Sequence, residues 1–101
     1  MVPALMELTL EDWIPHVGST FAFHHQADRE STEVTLTSAT SLGMERPSGH
    51  SAYSVVFSGP KSPSWEQGLI RVSHTSIGML DVFMVPIGEN EEARRYEAVF
   101  N

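Results

Sequence analysis

The side chains in this 101-residue chain that could do chemistry are five histidines, thirteen carboxylates and a scatter of serines and threonines. Imidazole is the commonest metal ligand and general base, so the histidines come first. His24 and His25 are adjacent, and on a strand adjacent side chains point to opposite faces, so the two cannot close on one ion and read as unrelated. His16, His50 and His74 fall on different segments with no ligand spacing between them. A catalytic triad needs a nucleophile, a base and an orienting group, and the sequence offers neither a Gly-x-Ser-x-Gly elbow nor a carboxylate pair in a defined context. With no cysteine, disulfides, thiolate catalysis and Cys-ligated zinc or iron–sulfur sites are excluded. Glu89, Asn90, Glu91 and Glu92 offer oxygen ligands for calcium without the spacing of an EF-hand loop. Ser58-Gly59-Pro60 could present backbone N–H groups to an anion, yet Pro60 lacks one and no helix follows, so it reads as a turn. The expectation is a non-enzymatic chain with no catalytic residues, no metal and no cofactor.

One charge stands out. Asp81 sits among apolar residues, where an unpaired carboxylate would be costly, and Arg71 lies across from it in the expected hairpin. A structural ion pair accounts for both better than a proton-transfer role does.

The element that must hold this pair runs from Gly68 to Ile87: two β-branched and aromatic runs, Gly68 to Thr75 and Met79 to Ile87, joined at Ser76-Ile77-Gly78. In the second run Leu80, Val82 and Met84 share one face while Met79, Phe83, Val85 and Ile87 share the other. Both faces ask for cover, which makes this a central strand.

Other segments arrange themselves around it. Residues 1–7 read as a leader, and Thr9 with Glu11 and Asp12 marks the start of a short helix over 9–17, its face Leu10, Trp13, Ile14 and Val17 limited by Pro15. Trp13 must dock on the sheet or plug one end of a barrel. Sheet is expected over 19–101. Ser19 to His25 turns Phe21 and Phe23 inward, Glu33 to Ser41 turns Val34 and Leu36 inward with threonines to water, and Ser51 to Ser58 turns Tyr53, Val55 and Phe57 inward. Leu42 to His50 and Lys61 to Gln67 read as loops, Gly88 to Ala93 as an acidic turn, and Arg95 to Phe100 as a last strand with Tyr96, Ala98 and Phe100 on one side. The sum is one all-β domain with a short N-terminal helix: a six-stranded antiparallel meander closed as a small barrel, with a two-sheet sandwich as the alternative.

Composition narrows the function classes. A net charge of −7 argues against nucleic acid, because phosphate contacts need clustered cations and the Arg94-Arg95 pair is hemmed in by Glu91, Glu92 and Glu97. No run approaches the ~20 apolar residues that span a bilayer. Glu7 within the first apolar stretch, and no basic residue before Arg29, are unlike a secretory signal and imply cytoplasmic synthesis, with delivery into a larger assembly compatible with it. Two functions fit such a chain. The first is a structural or interaction module that self-associates or takes a protein partner through a strand edge, the loop around Trp65 and the C-terminal strand, with Trp65, Tyr96, Phe100 and Asn101 as partner-binding residues. The second is a small-ligand-binding barrel with an aromatic cavity.

Leu8-Thr-Leu-Glu-Asp-Trp13 with Val17-Gly18, Val55-Val-Phe-Ser-Gly-Pro60, Gln67-Gly68, His74 with Gly78, Phe83-Met-Val-Pro-Ile-Gly88 and the ending Arg95-Tyr-Glu-Ala-Val-Phe-Asn101 together resemble a family of small uncharacterised bacterial proteins of about this length. Met1 to Leu5 and Leu42 to His50 depart from the pattern. Members of that family are similar in context to proteins encoded near phage-tail-collar-like fibre proteins. The resemblance implies a structural or assembly role in a tail-like particle or surface fibre, and brings no catalytic residues with it.

Overall fold

Alternation of large apolar and small polar residues sets one side of each strand inward, and six such strands curl until the sheet meets itself. In this computed structural model, residues 8–25, 31–45, 51–62 and 65–100 are described. The strands are β1 (Thr20–His24), β2 (Ser31–Glu45), β3 (Ser51–Gly59), β4 (Gly68–His74), β5 (Gly78–Glu89) and β6 (Arg94–Phe100). All neighbours are antiparallel and the sheet closes in the order β1-β2-β3-β6-β5-β4. The barrel therefore consists of two three-stranded meanders, β1-β2-β3 and β4-β5-β6, sealed by the β3–β6 and β1–β4 seams, where a single six-stranded run was expected.

The interior is the expected one. Phe21, Phe23, Val34, Leu36, Tyr53, Val55, Phe57, Tyr96 and Ala98 are buried, joined by Ile70, Val72, Leu80, Val82 and Met84 from the central hairpin. Phe57 meets Phe21 and Phe23 edge-on, with centroids 5.2 and 5.5 Å apart, and Phe23 meets Tyr96 in the same way at 5.5 Å. Such contacts add to the burial term.

Three sequence readings change. First, Met79, Phe83 and Ile87 are exposed, so among the described residues the second apolar face of β5 has no cover. A closed barrel has one inside, and the other side of every strand meets solvent. Second, β2 continues through Leu42 to Glu45, into what reads as a loop; a register shift after Leu36 and another after Ser41 absorb the irregularity. Residues 46–50, the leader 1–7 and Asn101 lie outside the described residues. Third, each strand lies between two others in the ring, which confines the open edge expected as a docking route to stretches with register partners on one side, such as residues 78–84 of β5.

The helical segment is shorter than 9–17: one α-turn, α1 (Leu10–Trp13), followed by a 3-10 turn, Ile14–His16, that contains Pro15. The Asp12 carboxylate accepts the Thr9 backbone N–H at 2.7 Å and the Thr9 hydroxyl at 3.2 Å, the acidic half of a capping box. So short a helix has no stability of its own. Trp13 anchors it, fully buried against Phe21, Phe57 and Phe100, and its Nε1–H donates to the Tyr53 hydroxyl at 3.0 Å. That hydroxyl donates in turn to the Leu8 carbonyl at 3.3 Å, tying the preceding chain to the same end of the barrel.

Trp65 stands at the other end. Its ring meets Phe23 edge-on at 5.5 Å and lies 4.2 Å from the His25 ring, while its backbone N–H donates to the Tyr96 hydroxyl at 3.1 Å. Pro86, which has no N–H for the ladder, sits beside the register shift in β5, where a bulge tolerates it.

Candidate functional site

Two of the histidines do come together. His16 and His74 face each other with ring centroids 4.5 Å apart, and Ser19 Oγ lies 3.0 Å from His74 Nε2, the spacing of a nucleophile and its base. The proton is on the wrong atom for that role. His74 Nδ1 accepts the backbone N–H groups of Ser76 at 3.0 Å and Ile77 at 3.4 Å, so the neutral ring carries its proton on Nε2 and donates it to Ser19. Ser19 in turn donates to the His16 carbonyl at 2.6 Å. Burial, and then the facing His16, hold the His74 pKa below the ordinary histidine value, in keeping with a neutral ring. In this arrangement the group joins the 3-10 turn to the β4–β5 turn and does not activate a hydroxyl.

The remaining histidines are separate, as strand geometry requires. His24 Nε2 lies 2.6 Å from Ser73 Oγ, whereas His25 Nε2 lies 3.1 Å from Thr32 Oγ1 and its ring packs on Trp65. Among the described residues no three potential ligands gather for a metal ion. Asn90 uses its side-chain oxygen locally, accepting the N–H groups of Glu92 and Ala93 in the turn before β6.

Arg71 and Asp81 pair as expected: Nε reaches Oδ1 at 2.9 Å and Nη2 reaches Oδ2 at 3.2 Å. The pair lies outside the barrel, about half exposed on both sides. The hydrogen bond from Arg71 holds the Asp81 carboxyl below the usual carboxylate range.

Around this pair lies the most distinctive surface. Leu69 is 66% exposed and Phe83, its direct cross-strand neighbour, is 52% exposed. Among the described residues, five of the eight exposed large apolar side chains, Leu69, Met79, Phe83, Ile87 and Val99, are carried by β4, β5 and β6. Val99 is exposed on β6 beyond the end of the β5–β6 ladder, which runs from Glu89↔Arg94 to Val85↔Glu97. The outward residues of β2 are mostly polar, Ser31, Glu33, Thr35, Thr37, Thr40 and Ser41, with Leu42, 41% exposed, as its one exposed large apolar residue among those described. The two sides of the barrel thus differ in the apolar area they show to solvent.

The expected partner-binding residues lie elsewhere. Tyr96 is 1% exposed and points inward, while Trp65 and Phe100 are half-buried and packed on the core. Trp65, Tyr96 and Arg94 form one group at the Trp65 end, with the Arg94 guanidinium 5.8 Å from the Tyr96 ring centroid and Arg94 Nη1 2.8 Å from Glu89. Trp65 Nε1 and Arg94 Nε are buried without a hydrogen-bond partner among the described residues.

A family model described as "Domain of unknown function (DUF6916)" matches residues 8–100. The chain belongs to this family. The DUF6916 match takes in the helical segment and all six strands, so the Trp13 plug and the β4–β5–β6 face both lie within the family domain. No curated protein and no solved structure matches the chain. No helix among the described residues is long and apolar enough to cross a membrane. A signal for the outer face was present in the sequence: the second apolar set on β5, opposed by Leu69 and set against the threonine-rich β2.

Proposed function

We propose that this DUF6916 chain is a non-enzymatic interaction and assembly module that takes a protein partner through the outer face of β4, β5 and β6. The supporting observation is the placement of five of the eight exposed large apolar side chains of the described residues on that half of the barrel, while β2 turns mainly serine, threonine and glutamate outward and carries one of the eight, Leu42. Leu69 and Phe83 form the apolar centre and the Arg71–Asp81 pair sits beside them, a hydrophobic core with a polar rim. The resemblance to proteins encoded near tail-fibre genes supports a tail-like particle or surface fibre as the setting. Co-purification from the native host, followed by cross-linking, tests the reading. Wild type is expected to retain a protein that Phe83→Asp loses while keeping the wild-type circular dichroism spectrum; equal retention by both proteins refutes it.

A further inference from the structure

We infer that the occupant of this face is a second copy of the chain, packed about a two-fold axis that runs along the β4–β5 hairpin. The inference rests on the reading above and adds the identity of the partner. Leu69 is opposite Phe83 and Arg71 is opposite Asp81, with each pair at one height on two adjacent strands. A two-fold axis parallel to the strands and midway between them lays β4 of one copy over β5 of the other. Leu69 then meets Phe83 of the second copy, and Arg71 meets Asp81 of the second copy. The central apolar pair thus finds apolar groups and each charge its opposite, while Met79 meets Ser73 at the margin. A wholly basic or wholly acidic partner surface would instead leave Arg71 or Asp81 against a like charge.

Size and charge set how strong this contact is. β5 has 12 residues. At about 3.3 Å per residue and about 4.8 Å between strands, the three-strand face offers at most roughly 600 Å² per copy, or roughly 1,200 Å² in total, at the bottom of the range for specific interfaces. The dimer is therefore weak. Both copies also carry −7, and this long-range repulsion is screened by salt. Added salt should strengthen self-association, whereas it would weaken the binding of a basic partner.

Sedimentation velocity from about 10 to about 500 μM protein, at roughly 50 and 500 mM sodium chloride, reads this directly. The expected result is a monomer at the low end and a dimer at the high end, more of it at high salt, with Phe83→Asp weakening association by about tenfold or more. The chain has no cysteine, so single-cysteine variants give a second readout. Leu69→Cys mixed with Phe83→Cys should be joined by a short bismaleimide, which spans the ~10 Å between facing sheets, in excess over either variant with itself, because the axis sets unlike positions face to face. A monomer throughout, a dimer indifferent to Phe83→Asp, or like-with-like cross-links in excess overturns the inference. If wild type stays monomeric while Phe83→Asp still loses a host protein, the face is an interface for another chain and the two-fold inference alone falls. If Phe83→Asp behaves as wild type in both experiments, both readings fall.

Discussion

Replacing Trp13 by alanine tests whether the helical turn closes the barrel. The indole is fully buried, touches the rings of Phe21, Phe57 and Phe100, and gives its N–H to Tyr53. Truncating a buried tryptophan costs roughly 3–5 kcal/mol, because the lost transfer free energy is joined by the cavity left behind. A domain of this length has only about 5–15 kcal/mol of total stability. With a urea slope of about 2 kcal/mol per molar, the midpoint should fall by roughly 1.5–2.5 M. Tyr53→Phe separates the polar part of the effect: it keeps the ring, leaves the buried Trp13 N–H without its acceptor, and should cost about 1–3 kcal/mol. Urea titrations followed by far-ultraviolet circular dichroism, with Trp65 fluorescence as a second probe, give both values. If Trp13→Ala unfolds within about 1 kcal/mol of wild type at an unchanged slope, the segment is an appendage and the plug argument is wrong.

Other expectations follow from the same packing. A Cβ at Gly59 would stand 2.7 Å from Val34 Cγ1, so Gly59→Ala should cost about 1–3 kcal/mol, and Val34→Ala in the same chain should recover part of that, read as the coupling in a double-mutant cycle. Met84 is fully buried and Phe83 half exposed, so Met84→Ala should cost about 2–5 kcal/mol while Phe83→Ala costs well under half as much in the same denaturation assay. His74 has its pKa lowered in the fold, so the unfolded chain takes up the proton first. Its contribution is present above about pH 6.5 and is lost as pH falls through the lower folded value; stability should decline with acidification in this window, and His74→Gln should flatten the decline. A proton NMR titration should place His74 below the ordinary histidine value, and a value at or above it would contradict the burial argument.

Much of the barrel was legible because a half-buried strand shows its inside by alternation. Phe21 and Phe23, Tyr53, Val55 and Phe57, and Tyr96 and Ala98 are inward as the period-two pattern requires. Trp13 was readable as a plug for a different reason: a helical turn that short has nothing else to hold it. Alternation says which residues share a face and not how many faces are covered, and that is why Met79, Phe83 and Ile87 looked like the second side of a buried strand. Strand order was hidden too, since the β1–β4 and β3–β6 seams join segments far apart in sequence and carry no local turn signal. The His16–Ser19–His74 group depends on one of those seams. The sequence places these residues on separate segments, and only closure of β1 on β4 brings Ser19 to His74.

The two halves of the barrel serve as controls for each other. β2 and β5 share one pleat, one core and one solvent, so the fold places the same demands on their outward residues. Threonine meets those demands on β2 by satisfying the β-conformation while facing water. A phenylalanine in the same kind of position on β5, half exposed and opposite a leucine that is more exposed still, adds little to the core and costs solubility. Trp13 and Trp65 occupy the two ends, and under the proposed function the outward side chains are the means of recognition. Under the proposed function the apolar residues on β4, β5 and β6 are accounted for by a partner laid against them, and they are where substitution should separate binding from folding.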